Sequence, residues 1–364
     1  MGKSRFLNVL KRFGVESKGV VAVVVALVLV VLIGMAAMAI DIGYWFSSKS
    51  ECQNAADAAA LAGASKLLTW NTTTMDVTGV DPTAAFAEAK TFSLSNQNAG
   101  TSLDILENDC LMGWWDFASR SLDPSRTFPM TATTTDPDDV TAFRVHVRRD
   151  ATMNLPITSF FASIFGINQV NIDVVATAYL GWVSNVNEGD VELPIALIAD
   201  AVADGSSGEY TPRCGQELTF RSENTETAEW TNFFDSPTND VDIRRYVTGA
   251  KTAPALDATT GDQLNVTNGS LSQVTFNKLV DRFEAERVPN APGGTWKTWM
   301  PVIYPSGSAN TAQLVGFVQI EITDVLTAPD KLVKGVIDCN SILPYSRGGG
   351  GNFGVRAGIP VLVE

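Results

Sequence analysis

The chain has 364 residues, of which 18% are charged, and a formal net charge of −14. That length exceeds one small core and suits two folded units plus a further segment. The acidic balance repels phosphates and speaks against a nucleic-acid partner.

The charge is unevenly placed. Residues 1–18 carry Lys3, Arg5, Lys11, Arg12 and Lys18 against Glu16 alone, so the remainder holds about −18. From Val20 to Ile40 the chain reads VVAVVVALVLVVLIGMAAMAI, without a charged or strongly polar residue. As a helix this run rises about 31 Å, close to the thickness of a hydrocarbon core. Val20, Val24, Leu27, Val31, Gly34, Ala37 and Ile40 then mark a transmembrane helix over residues 19–41. The basic segment 1–18 stays cytoplasmic by the positive-inside rule, and the rest is exported. A cleaved secretory signal is the competing reading. Its apolar region is shorter, about 7–15 residues, and AAMAI before DIGYW is a poor cleavage context. A core helix of a soluble protein fits less well, because the run has no polar face.

The helix is expected to extend over residues 42–70, since no proline follows until Pro82. Tyr44, Trp45 and Phe46 stand where aromatic side chains favour the headgroup layer. Ala55, Ala56, Ala59, Ala60, Gly63 and Ala64 recur at three- and four-residue spacing. Such a stripe, with Ala56, Ala59, Ala60 and Gly63 at its centre, lets another backbone approach closely. Alanine's helix propensity accounts for the same run without a partner.

The body divides into an expected first α+β unit at 71–182 and a second, β-rich unit at 183–364. In the first, the spacing predicts a helix over Pro82–Ser95 and a strand at Leu111–Phe117 with exposed tryptophans. Thr133–Asp139 reads as an acidic loop and Ala142–Arg148 as an alternating strand. A short apolar helix or turn follows at Ile157–Phe165, then a strand at Val170–Leu180. In the second, strands are expected at Leu193–Ala199, Glu217–Ser222, Trp299–Tyr304, Gln313–Asp324 and Lys334–Cys339. Short helices are expected within Glu229–Tyr246. Phe276, Leu279, Val280 and Phe283 suit a helix, and Gly348–Gly351 a flexible loop. The fold class is thus α+β: a long N-terminal transmembrane, pilin-like helix followed by extracytoplasmic β-rich units with a few helices.

Little here points to chemistry. The single histidine, His146, removes the two-histidine zinc motifs and lies on the basic face between Arg144 and Arg148. Cys52, Cys110, Cys214 and Cys339 fit neither CxxC redox chemistry nor a zinc ribbon. Outside the cytoplasm they are candidate disulfides with three possible pairings, of which locality favours Cys52–Cys110 and Cys214–Cys339. Asp136, Asp138 and Asp139, and the carboxylates around Asp200 and Asp204, are candidate calcium ligands without the EF-hand spacing. Trp114–Trp115, and Trp296 with Trp299, could form a sugar- or surface-binding platform. No catalytic, cofactor or metal site is expected.

The segment from Lys18 to Leu67 resembles the N-terminal part of the TadE/TadG-like proteins of the tight-adherence, or Flp-type, pilus system. The residues that carry the resemblance are Gly19 before the apolar run, Ala39-Ile40-Asp41-Ile42-Gly43, and Gln53-Asn54-Ala55-Ala56-Asp57-Ala58-Ala59-Ala60-Leu61-Ala62-Gly63-Ala64. Arg144–Gly181 is similar to the strand–short helix–strand segment of that family, and Ala312–Val325 to its C-terminal region. The resemblance implies a non-enzymatic, pseudopilin-like or minor-pilin-like subunit that either resides in the bacterial inner membrane or is incorporated from it into a pilus, and that partners other pilin-like or assembly subunits or its own copies. It also implies a processing site at Gly19–Val20. Pilins of this system carry glutamate at the fifth mature position, where this chain has Val24, which argues for a permanent anchor instead. An adhesin held by one helix is the alternative function.

Overall fold

The computed structural model describes residues 3–132, 135–205, 210–221, 226–267, 269–305 and 310–364, with side chains described from residue 21 onward except that of Pro305. Thr133, Thr134 and Ser222, and the side chains of Gly19 and Val20, lie outside the described residues.

One helix, α1 (Lys3–Ser65), runs without a break from the basic segment through the apolar run and most of its expected extension, stopping short of residue 70 because Leu68–Trp70 pairs as a strand with Val77–Val80. Burial divides it sharply. Residues 21–40 are exposed or half-exposed on every side, as a lipid-facing helix is. From Asp41 onward one face is covered: Asp41, Ser48, Cys52, Ala55, Ala56, Ala59, Ala60 and Gly63 are buried. Those positions recur at three-, four- and seven-residue intervals, the period of one helix face. The chain beyond α1 is β-rich with a few helices.

The contacts divide into two compact units that interleave in sequence. The first comprises residues 1–56, 92–105 and 146–175, and the second the remainder. This differs from the linear cut expected at residue 182. At that cut the C-terminus takes part: Val361 and Leu362 pair with Tyr179 and Ala178, so the end of the chain belongs with residues 176–182.

In the first unit, a hairpin of Ile157–Thr158 against Gln169–Val170 carries a 3-10 turn, Ala162–Phe165. Gly166 ends that turn at φ +83°, a left-handed conformation that glycine adopts without strain. The guanidinium of Arg149, almost wholly buried, donates from Nη1 to the backbone O (2.9 Å) and to Oδ1 (2.5 Å) of Asn98. Asn98 in turn donates to the Ser48 carbonyl at 3.0 Å and to Glu51 at 2.8 Å on α1. Arg149 also donates to the Leu155 carbonyl at 2.9 Å. A buried cation costs several kcal/mol unless it is hydrogen-bonded, so this network fixes both partners.

In the second unit, helix α2 (Pro82–Ser95) begins where expected, with Asp81 accepting from the Ala84 N–H at 2.9 Å. Its last four residues belong to the first unit. Cys110–Asp116 lies between Ser121–Pro129 and the part of Ala142–Arg149 up to Val145. The long strand Thr311–Leu326 organises the rest. One of its edges pairs with Trp296–Pro305, and the other with Gln263–Thr267 near its start and Leu332–Asp338 near its end. Ala228–Phe233 and Ile195–Ile198 complete a closed ring of five strands, and Glu217–Arg221 extends the sheet beyond Leu332–Asp338.

Alternate residues of Ile195–Ile198 enter different cores. Ile195 and Leu197 pack with Phe276, Leu279 and Phe283 of the helix Gln273–Glu286, while Ala196 and Ile198 pack with Leu343, Val355 and Ala357. Burial on both faces explains why this strand reads as continuously apolar. The expected short helices in Glu229–Tyr246 are half right: Ala228–Phe233 is a ring strand and Asp240–Val247 a helix. Trp230, Thr231 and Phe233 sit inside the sheet, a placement their mixed polarity conceals.

Gly348–Gly351 is not the flexible loop expected. The N–H groups of Gly349 and Gly350 donate to the Trp182 carbonyl and that of Gly351 to Val315. A Cβ on Gly350 would lie 1.9 Å from the Val183 carbonyl oxygen, so close backbone approach demands glycine there.

The same argument applies to α1, where a Cβ on Gly63 would lie 2.2 Å from Cε1 of Phe143. Gly63→Ala is expected to destabilise the detergent-solubilised full chain by about 1–3 kcal/mol. Phe143→Leu in the same chain should restore part of the loss, as read from thermal unfolding.

Candidate functional site

The apolar run ends at Asp41, and this carboxylate is fully buried. It faces the start of the 3-10 turn in the first unit. Its Oδ1 accepts from the Phe160 N–H at 3.0 Å, and its Oδ2 from the N–H groups of Phe161 at 2.8 Å and Ala162 at 2.5 Å. The first N–H groups of any helical turn lack internal partners, and here one carboxylate from another element satisfies three of them. The Tyr44 ring packs against that of Phe160, with centroids 5.3 Å apart. The last residue of the apolar run is thus followed at once by a lock between α1 and the hairpin.

Sequence reasoning placed Asp41 at the end of the run and inside the family-like stretch Ala39–Gly43, but gave it no partner. Two features of the sequence accompany it: an acid one step past a long apolar segment, and an uncharged stretch at residues 151–172 that holds its three donors. Asp41→Ala should leave those N–H groups unpaired and open the turn. Chymotrypsin cleavage after Phe160, Phe161 or Phe165 in the detergent-solubilised chain is then expected to run roughly tenfold faster. Asp41→Asn, whose amide oxygen still accepts, should lie between the two.

The other anticipated residues are placed as follows. Val24, Leu27, Val31 and Ile40 are exposed, Ala37 is half-exposed, and Gly34 meets no other atom a Cβ would touch. Ala56, Ala59, Ala60 and Gly63 are buried inside the chain itself, so the small-residue stripe is already covered. Trp115 is buried, Trp114 lies under the Arg126 guanidinium 4.1 Å from its ring centre, and Trp296 is buried with its N–H on Glu192 at 3.1 Å. Trp299 packs against the core of the second unit. The exposed tryptophan platform is therefore not formed.

His146 has an acidic partner that the sequence did not suggest: its Nε2 meets the carboxylate of Asp173, on a solvent-open strand surface. Among the acidic residues, Asp136 accepts from the Asp138 N–H at 3.0 Å, and Asp204 pairs with Arg213 at 2.7 Å. Asp138 faces the fully buried guanidinium of Arg356, which also donates to the Pro137 carbonyl and stacks 3.9 Å from the Trp182 ring centre. These carboxylates serve loops and ion pairs. Among the described residues, no group of three or more His, Cys, Asp or Glu is placed to hold a metal ion. A shallow depression in the second unit is lined by Lys251 and Arg282, whose charges are already met by Asp235 and Glu286.

Cys214 and Cys339 form a disulfide that closes 125 residues of the second unit. The second expected bridge is absent: Cys52 and Cys110 are free thiols, each buried within its own unit. A disulfide requires Cα atoms within about 7 Å and converging Cβ vectors, which sequence locality does not guarantee. Burial, reinforced by Glu51 against an opposing Arg149, pushes the Cys52 thiol up to about 11. Burial with Asp109 and Glu107 nearby pushes Cys110 up to about 12. At pH 8 both are almost entirely protonated and shielded, so neither should alkylate in the folded chain. Two thiols per chain are expected to react only after denaturation. Reducing Cys214–Cys339 should lower the unfolding free energy by up to about 4–5 kcal/mol by the loop-entropy relation, read as a lower denaturation midpoint.

Residues 19–66 match a family described as putative Flp pilus-assembly TadE/G-like. The matched segment begins just before the apolar run and ends one residue beyond α1. No curated protein and no solved structure matches the chain.

Proposed function

From this TadE/G-like segment at residues 19–66, we infer that the chain is a non-enzymatic, pseudopilin-like or minor-pilin-like component of a Flp-type pilus or of its assembly machinery. The observation that carries the reading is the coincidence of the family match with α1, the element that combines a membrane-length apolar run with a body-packed extension. The apolar helix anchors the chain once in the membrane, with the basic segment cytoplasmic and the body outside. In this reading the inner membrane of a bacterium holds the anchor, and other pilus subunits meet the folded body.

Two features favour a permanent anchor over a cleaved leader. The helix continues unbroken on both sides of Gly19, and Val24 stands where a processed pilin carries glutamate. The small-residue stripe gives no support to packing against a neighbouring subunit through Ala56, Ala59, Ala60 and Gly63, because the chain covers them itself. The adhesin alternative has lost the tryptophan platform that motivated it.

The test is deletion of the chain in its own cells, scored for pili and for surface attachment, with the N-terminal peptide mass of the native protein. Loss of pili and an uncleaved basic N-terminus are expected. A mature chain starting at Val20 would instead make it a filament or tip subunit. Normal pili with lost attachment would overturn the assembly role in favour of the adhesin.

A further inference from the structure

We propose that the hairpin tip Phe160–Ile167 is a second membrane contact, a wedge seated at the headgroup–acyl boundary beside the anchor helix. The inference rests on residues 20–40 spanning the bilayer and is independent of the pilus assignment.

Position is the first argument. Asp41 directly follows the last apolar residue of the span, and its carboxylate holds three backbone N–H groups of the hairpin. The tip is therefore fixed within a side chain's length of the level where the span leaves the hydrocarbon. Composition is the second. Residues 151–172 contain no charged side chain, in a chain where 18% of residues are charged. Exposure is the third. Ile164 is 79% exposed, Phe165 62% and Phe160 61%, with Phe161 and Ile167 also open.

The neighbouring turn of α1 presents Ile42 and Phe46 to the outside in the same way, and Phe46 is 70% exposed. Isolated exposed apolar residues need no explanation, but a contiguous cluster does. Here the cluster continues the surface of the span and has the aromatic character of an interfacial belt. A lipid surface is the occupant that this continuity selects. An apolar tip with no basic residue inserts by burial rather than by attraction to anionic headgroups, to a depth of about 5–10 Å.

The consequence is mechanical. A single helix leaves its cargo free to tilt and to rotate about the helix axis. A rigid second contact beside it removes both freedoms for the first unit and holds the extension of α1 at a defined height and facing.

The experiment uses the full chain at high dilution in phosphatidylcholine vesicles, with an environment-sensitive fluorophore on Ile164→Cys. The native free thiols, Cys52 and Cys110, are buried and stay unlabelled in the folded protein. The label is expected to emit at shorter wavelength than one on the exposed Thr73→Cys. Lipids bearing a nitroxide near the headgroup should quench it about twofold more than lipids bearing one near the chain end. Adding phosphatidylglycerol should change neither result. A label on Val31→Cys reports the span and should prefer the deep nitroxide. If Val31 shows no lipid quenching, the membrane-spanning reading itself has failed. If Val31 is in lipid while the Ile164 label is quenched by aqueous iodide as readily as Thr73, the wedge is overturned. Protection of Ile164 from both quenchers that rises with protein density would replace lipid by a second copy of the chain and equally overturn it.

Discussion

The carboxylate of Asp41 is the constraint on which the membrane-proximal structure depends. An anion in a buried site survives only when its charge is met by donors, and the donors here are three main-chain N–H groups some 120 residues away. The interaction does two things at once. It ends the free stretch of α1, so that burial on one face begins at that residue, and it pins the uncharged hairpin tip to the same level. In the membrane-anchored reading, an acid in this position also resists being drawn into the hydrocarbon.

Above that level the extension of α1 is held by fit rather than by charge alone. Small side chains leave room for neighbours to come close, and the ring of Phe143 occupies the space a side chain on Gly63 would need. Asn98 adds a directional bond to the helix carbonyl at Ser48 and is itself held by the guanidinium of Arg149. A continuous helix built this way transmits position stiffly, because packed interiors deform little.

The second unit reaches its stability by other means. A closed ring of strands leaves few open edges, and the long strand Thr311–Leu326 serves both the ring and its two-strand extension. The disulfide Cys214–Cys339 joins the end of that extension to the loop before Glu217–Arg221. The C-terminal segment then returns to residues 176–182, placing Arg356 against Trp182 and the acidic turn at Pro137–Asp139. Carboxylates that look like a cation site in one dimension are thereby committed to a buried arginine and to their own turn.

Local patterning determined much of this protein. A membrane-length apolar run, a helical extension with small residues at helical spacing (though it stops at Ser65 rather than at residue 70), the helix Pro82–Ser95 and the alternating strand that carries His146 are all written in neighbouring residues. The family match is equally local, lying over residues 19–66, almost all of it in α1. What tertiary structure alone decided was partnership across long sequence separations. The three donors that meet Asp41, the return of Val361–Leu362 to Ala178–Tyr179, the burial of the tryptophans and the free state of Cys52 and Cys110 depend on which distant segments meet. Helix and strand periodicity records which side of an element is apolar, but not what covers it, and so the covering of the small-residue stripe by the chain's own body could be learned only from the fold.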